Sequence, residues 1–200
     1  PLTDRIQYLE EGDWAIVREE GATVFDVAGR EVSRPIGQTA FSGALMGKGN
    51  FRHFMEKEIH EQPAVLGDTL HAFGIHEGGL QMPTLPFDFA ALRRLHIVAC
   101  GTASLAGMVG KYWFERFAKL PVEWDIASEF RYRDAPLSAD EGALFISQSG
   151  ETADTLACLR LCREVGMPTV GLVNVPESSI AREAAGVLRT LAGPEIGVAS

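Results

Sequence analysis

The sequence contains no apolar run of even ten residues, so no segment approaches the roughly 20 that a membrane-spanning helix needs. Its N-terminus also lacks the charged-then-apolar layout of a secretory signal. Positive charge is scarce: 18 lysines and arginines stand against 27 aspartates and glutamates, a net charge of −9. Such a balance repels a phosphate backbone, which excludes nucleic acid as an expected partner. Cysteine is limited to Cys100, Cys158 and Cys162, an odd number in a chain large enough to fold without staples. Free thiols in a reducing, cytoplasmic setting are therefore expected. Phosphate-binding signatures of the Gly-x-x-x-x-Gly-Lys-Ser/Thr and Gly-x-Gly-x-x-Gly types are missing, which excludes a P-loop and a dinucleotide fingerprint. Internal repeats and low-complexity tracts are missing too.

What remains is an ordinary globular composition, 46% hydrophobic and 22% charged over 200 residues. That length predicts one or two domains able to bury about 70% of the unfolded surface. The chain opens on Pro1 without a methionine and stops at Ser200 directly after Ile196-Gly197-Val198-Ala199. It is read as a piece of a longer polypeptide.

Residues 14–35 read as a meander of two or three antiparallel strands joined by glycine turns, too small to stand alone. Residues 37–51 have linker composition, with Gly37, Ser42, Gly43, Gly47, Gly49 and Asn50 close together. Residues 51–70 are expected to be helical, with Pro63 breaking the segment into two helices. After Arg94 the rhythm becomes strand, loop, helix. Strands are predicted at 95–100, 122–126, 142–147, 169–174 and 186–190, with helices at 105–119, 154–165 and 178–185. This alternation predicts an α/β fold, a doubly wound parallel sheet preceded by a short antiparallel β segment and a linker.

Ligands of open parallel sheets sit beyond the carboxyl ends of the strands. Two loops there are small, hydroxyl-rich and free of basic residues: Cys100-Gly101-Thr102-Ala103-Ser104 and Ser147-Gln148-Ser149-Gly150-Glu151-Thr152. Helix amides and hydroxyls together can hold a phosphate without a cation, so both loops suit a phosphorylated small molecule. Their plain alternative is ordinary N-capping of the helices that follow. Cys158 and Cys162 lie on one helical face without further ligands, which reads as packing, and no metal site is predicted. Cys100 has no base near it in sequence, and His53, His60, His71 and His76 lack metal spacing.

Four motifs in order resemble one family. Ile97-Val98-Ala99-Cys100-Gly101-Thr102, Ile126-Ala127-Ser128-Glu129-Phe130-Arg131-Tyr132-Arg133, Ser147-Gln148-Ser149-Gly150-Glu151-Thr152-Ala153-Asp154-Thr155 and Gly193-Pro194-Glu195-Ile196-Gly197-Val198-Ala199-Ser200 resemble the isomerase half of the glutamine–fructose-6-phosphate aminotransferases, the glucosamine-6-phosphate synthases. Met55-Glu56-Lys57-Glu58-Ile59-His60-Glu61-Gln62-Pro63 looks like the helix that opens that half, and residues 12–35 resemble, less specifically, the last strands of the glutaminase part.

The resemblance implies a sugar-isomerase (SIS-type, flavodoxin-like) domain at 63–200, a linker and entry helix at 46–62 and the C-terminal strands of a glutaminase-type domain at 1–45. It implies an enzyme converting fructose 6-phosphate and ammonia from glutamine into glucosamine 6-phosphate, without a cofactor and as a homodimer. By motif, Ser147, Gln148, Ser149 and Thr152 would hold the phosphate. Cys100, Gly101 and Thr102, joined by Val198, Ala199 and Ser200, would line the sugar. The family's usual serine is Ala103 here, so one hydroxyl contact to phosphate is either lost or taken over by Ser104. The base and lysine for ring opening, imine formation and proton transfer would lie outside this chain, as would the glutaminase cysteine, so the chain alone should bind weakly and catalyse nothing. A stand-alone SIS-type isomerase or deaminase, and a sugar-phosphate-sensing regulatory domain, are the alternatives. The strands before the linker oppose the first, and the absence of a helix-turn-helix pattern or basic stripe opposes the second.

Overall fold

A computed structural model describes residues 5–38, 47–74, 79–85 and 87–197. The chain divides into two compact units, Pro1–Gly49 and Asn50–Ser200.

The first unit holds two small antiparallel sheets. Strand β1 (Arg5–Gln7) pairs with β5 (Ile36–Gln38), while β2 (Trp14–Arg18), β3 (Gly21–Phe25) and β4 (Glu31–Val32) form a meander. The meander follows the sequence pattern, but the β1–β5 pair does not, and β5 occupies what reads as the start of the linker. Residues 39–46 of that linker lie outside the described residues. Trp14 stacks on Phe25 with ring centroids 4.4 Å apart, and Arg34 forks onto Asp13 at 2.7 and 2.9 Å. That ion pair holds the Asp13 carboxyl below the usual carboxylate range.

The second unit is a five-stranded parallel sheet. Its strands are β6 (Leu95–Ala99), β7 (Val122–Ile126), β8 (Gly142–Ser147), β9 (Thr169–Val173) and β10 (Gly186–Arg189), in the order β10-β9-β8-β6-β7. Each predicted strand is present within one residue. The signal was strong because central parallel strands are buried on both faces and read as largely apolar runs; β6 is buried at every position and apolar at all but His96. Helix α2 (Gly101–Trp113) covers one face, together with Leu85, Phe87, Phe89 and Leu92. Helices α3 (Ala127–Phe130), α4 (Ala153–Glu164) and α5 (Ser179–Glu183) cover the other. α2 keeps a row of large apolar side chains on its outer side: Leu105, Val109, Tyr112, Trp113 and, in the π-turn that extends it, Phe117.

Two expectations fail here. Residues 54–72 form a single helix, α1 (Phe54–Ala72), with Pro63 inside it. Proline removes one intrahelical bond, a cost of about 3 kcal/mol. Ties from both halves of α1 to one distant segment oppose that cost: Thr69 Oγ1 accepts from Leu191 N, and Glu58 Oε1 accepts from Ile196 N. Likewise α2 begins at Gly101, not at Leu105, so the predicted loop 101–104 is the helix's first turn.

At the amino ends of the strands a buried polar cluster went unread in the sequence. His96 and Glu141, each nearly inaccessible, meet at 2.7 Å, and Arg93 adds a charged hydrogen bond to the same carboxylate.

Candidate functional site

Strands β6 and β8 are adjacent, with Ala99 level with Ile146, so Cys100 and Ser147 leave the sheet side by side. Counted from β6, the strand order is second, first, third, fourth, fifth, the flavodoxin-like arrangement. The direction of winding reverses between β6 and β8, and the helices that follow them pack on opposite faces. A crevice opens at such a switch point, and both candidate loops flank it.

The loop after β8 is built on hydroxyls. Ser147 Oγ accepts the Gly150 amide at 2.9 Å and lies 3.0 Å from Thr152 Oγ1, while Ser149 Oγ accepts the Glu151 amide at 3.2 Å. Gly150 has φ +67°, and a Cβ there would fall 2.0 Å from Ser178 Oγ. Only glycine fits the loop against the neighbouring turn. Glu151, the loop's one charge, is turned away and accepts the Ser179 amide at 2.7 Å.

The plain capping alternative does not describe these hydroxyls. Neither Cys100, which precedes α2, nor Thr152, which precedes α4, makes a side-chain cap hydrogen bond. The first intrahelical bond of α4 is Leu156 N to Thr152 O, which leaves the amides of 153–155 ahead of it facing the loop end. Ser178, by contrast, does cap α5 through the Ala181 amide. The α4 start therefore offers hydrogen-bond donors and the positive end of a helix dipole to an anion.

Cys100 joins the same group: Thr155 Oγ1 donates to its sulfur at 3.9 Å, and Thr155 is fully buried in the first turn of α4. Thr102 stands exposed in the first turn of α2, beside Gly101. Gln148 and Ser149 are half-buried. Val198, Ala199 and Ser200 lie outside the described residues. Of the two alternatives at Ala103, replacement by Ser104 is not the one seen: the Ser104 hydroxyl is buried and donates to the Gly101 carbonyl at 2.7 Å, inside the helix.

Asn174 was missed. It ends β9, its amide donates to the Gln148 carbonyl at 3.1 Å, and its side chain binds residues 190–193. An asparagine directly after an apolar strand, in Val173-Asn174-Val175-Pro176, was the available signal. The thiols of Cys158 and Cys162 are pushed up to about 12 by burial in the core under the site, which makes them packing groups. Among the described residues no cluster of histidine, cysteine and carboxylates could hold a metal, and no helix is long and apolar enough to cross a membrane.

The sequence pattern of the SIS domain matches residues 89–200, which contain the whole parallel sheet and both loops. The chain belongs to the SIS domain family. Within it, the chain is 59% identical over 201 residues to a glutamine–fructose-6-phosphate aminotransferase (isomerizing) of Mesorhizobium japonicum and 58% identical over 202 residues to one of Bradyrhizobium diazoefficiens. Both matches cover 100% of this chain and 33% of the relative, so the chain spans about a third of those proteins' length. Among solved structures, the C-terminal domain of glucosamine-fructose-6-phosphate aminotransferase from Francisella tularensis superposes with a TM-score of 0.68 at 41% identity, over 77% of this chain and 44% of that one. The SIS-type expectation from the motifs is borne out.

Proposed function

We propose that this chain is the first sugar-isomerase domain, with the end of a glutaminase part before it, of an enzyme that makes glucosamine 6-phosphate from fructose 6-phosphate and glutamine. One observation carries the reading: two cation-free loops flank the switch point, and the hydroxyls there are not used to cap helices. The phosphate dianion sits at the start of α4 on Ser147, Gln148, Ser149 and Thr152, and the dipole and amides offset its charge in place of a lysine. The sugar extends toward Cys100, Gly101 and Thr102, and Val198, Ala199 and Ser200 are assigned to the sugar by motif alone. This chain binds and orients the substrate. The groups that open the ring, form the imine and move the proton between C1 and C2 come from the rest of the polypeptide, and the enzyme works as a homodimer without a cofactor. Similarity that runs through residues 1–49 as well as the SIS domain favours this reading over a stand-alone isomerase or a sensor.

Calorimetric titration with fructose 6-phosphate, with fructose and inorganic phosphate as controls, tests it. Saturable binding that needs both sugar and phosphate is expected, weakened about tenfold or more by Ser149→Ala or Thr152→Ala. A folded chain that binds fructose as well as its phosphate, or binds neither, overturns the assignment.

A further inference from the structure

Two carboxylates belong to the loop and helix start proposed to hold phosphate, Glu151 and Asp154, and a dianion bound there would be repelled by both. Glu151 is occupied by the Ser179 amide. Asp154 is the second residue of α4, in the first turn, where a carboxylate draws on the same positive helix end that an anionic ligand would use. Its Oδ1 accepts from Arg131 Nη1 at 3.1 Å. Arg131 follows α3 directly, its amide donates to the Ala127 carbonyl at 3.0 Å, and its guanidinium lies over the Tyr132 ring at 5.1 Å from the centroid. The next arginine along the chain, Arg133, is taken by Asp125 at 2.5 Å.

The plain reading of this ion pair is a brace between α3 and α4. Two observations oppose it. The Arg131 and Asp154 side chains are 39% and 35% exposed, and ion pairs so open to water add little to stability. In addition, α3 is already fastened to α4 in the core, where the Cys158 thiol donates to the Ala127 carbonyl at 3.2 Å. The two charges also work against each other on the ground beneath the site: burial is the main reason the Cys158 thiol is pushed up to about 12, and beyond that Asp154 raises it while Arg131 lowers it. We infer that Arg131 is a positioning residue for the phosphate: by neutralising Asp154 it leaves the positive end of α4 free for the ligand. The cation that the two loops lack is thus supplied one step back, from the segment after β7. This rests on the proposed function, and it adds a pair of residues of which neither belongs to the proposed binding set.

Calorimetric titration of the full-length protein with fructose 6-phosphate, without glutamine and at low and high salt, tests it. Arg131→Ala is expected to weaken binding about fivefold at low salt, because the bared Asp154 carboxylate repels the dianion, and by less at about 0.5 M salt, where that repulsion is screened. Asp154→Asn should act in the opposite direction and tighten binding, since it bares a cation instead. The double variant Arg131→Ala/Asp154→Asn should return to within about twofold of wild type, and Arg131→Lys, which keeps the charge, should stay near it. A brace gives another pattern: both single variants melt earlier and weaken binding alike, and the double variant restores nothing. Wild-type affinity in Arg131→Ala, or weakened binding in Asp154→Asn, overturns the inference while leaving the functional reading intact. Should Arg131→Ala fail to fold, Arg131→Gln decides on the same criteria. A wild-type protein that does not bind fructose 6-phosphate would instead remove the functional reading and the inference together.

Discussion

The amide of Asn174 donates to the carbonyl of Gln148 at 3.1 Å, which joins the end of β9 to the loop that follows β8. The same residue is saturated on its side chain by residues 190–193. Asn174→Ala should therefore cost about 1 kcal/mol, because the partly buried backbone groups of Ala192 and Gly193 lose their partners. Amide hydrogen exchange should accelerate at Ala192 far more than in β6. Equal protection at Ala192 in variant and wild type would contradict the role given to this side chain.

Gly150→Ala should abolish ligand binding at the loop. Both the left-handed φ of +67° and the 2.0 Å approach to Ser178 Oγ oppose a methyl group, so the loop must move. A stability loss of about 1–3 kcal/mol is expected from the backbone conformation. Titration together with thermal melting checks both parts, and the double variant Gly150→Ala/Ser178→Ala should relieve neither the clash nor the strain, because the Cβ of residue 178 still stands 2.5 Å from the added methyl group.

Glu141→Ala should separate stability from binding. Its carboxylate lies at the amino ends of the strands, away from the loops, and is buried against His96 with Arg93 alongside. Removing it strands a buried imidazole, at a cost of about 3 kcal/mol. Chemical denaturation should show that loss, while affinity for fructose 6-phosphate stays at the wild-type value. A parallel drop in affinity would mean that the cluster reaches the site.

Alkaline titration should expose the two core thiols. Burial raises the Cys158 and Cys162 pKa values to about 12 in the folded chain, against an ordinary value of 9.0. Between those values the unfolded state loses protons that the folded state keeps, so this contribution to stability is fully present below pH 9 and falls as pH rises toward 12. In native protein at pH 8, iodoacetamide should modify Cys100, which is half-buried, and spare the other two. Peptide mapping before and after unfolding measures this directly, and early labelling of Cys162 would refute it.

The sheet was legible because each central strand is a short, mostly apolar run bounded by turn residues, interrupted in 95–99 only by His96 and in 142–147 carrying Leu144, Phe145 and Ile146 at its centre. The site loops were legible for a related reason: serine, threonine and glycine stand where a parallel strand hands over to a helix. The β1–β5 pair escaped because three-residue strands carry too few positions to show a period. Pro63 misled because propensity is local, whereas the ties from Thr69 and Glu58 span more than a hundred residues. Of the two alternatives at Ala103, the one through Ser104 misled for the opposite reason, since a hydroxyl four residues into a helix can turn inward onto the preceding carbonyl. The His96–Glu141 pair joins residues 45 apart, and no spacing rule links them.

The apolar row along α2 governs how this chain behaves in a tube. Trp113 and Phe117 are 62% and 72% exposed, with Tyr112, Leu105 and Val109 along the same side. Hydration of such an apolar ridge is unfavourable, and salts excluded from the protein surface, such as sulfate, strengthen the drive to bury it. The net charge of −9 supplies the countervailing repulsion at low ionic strength. Concentrated or sulfate-rich solutions of the isolated chain will accordingly cloud by light scattering, whereas dilute, low-salt buffer keeps it clear enough for calorimetry.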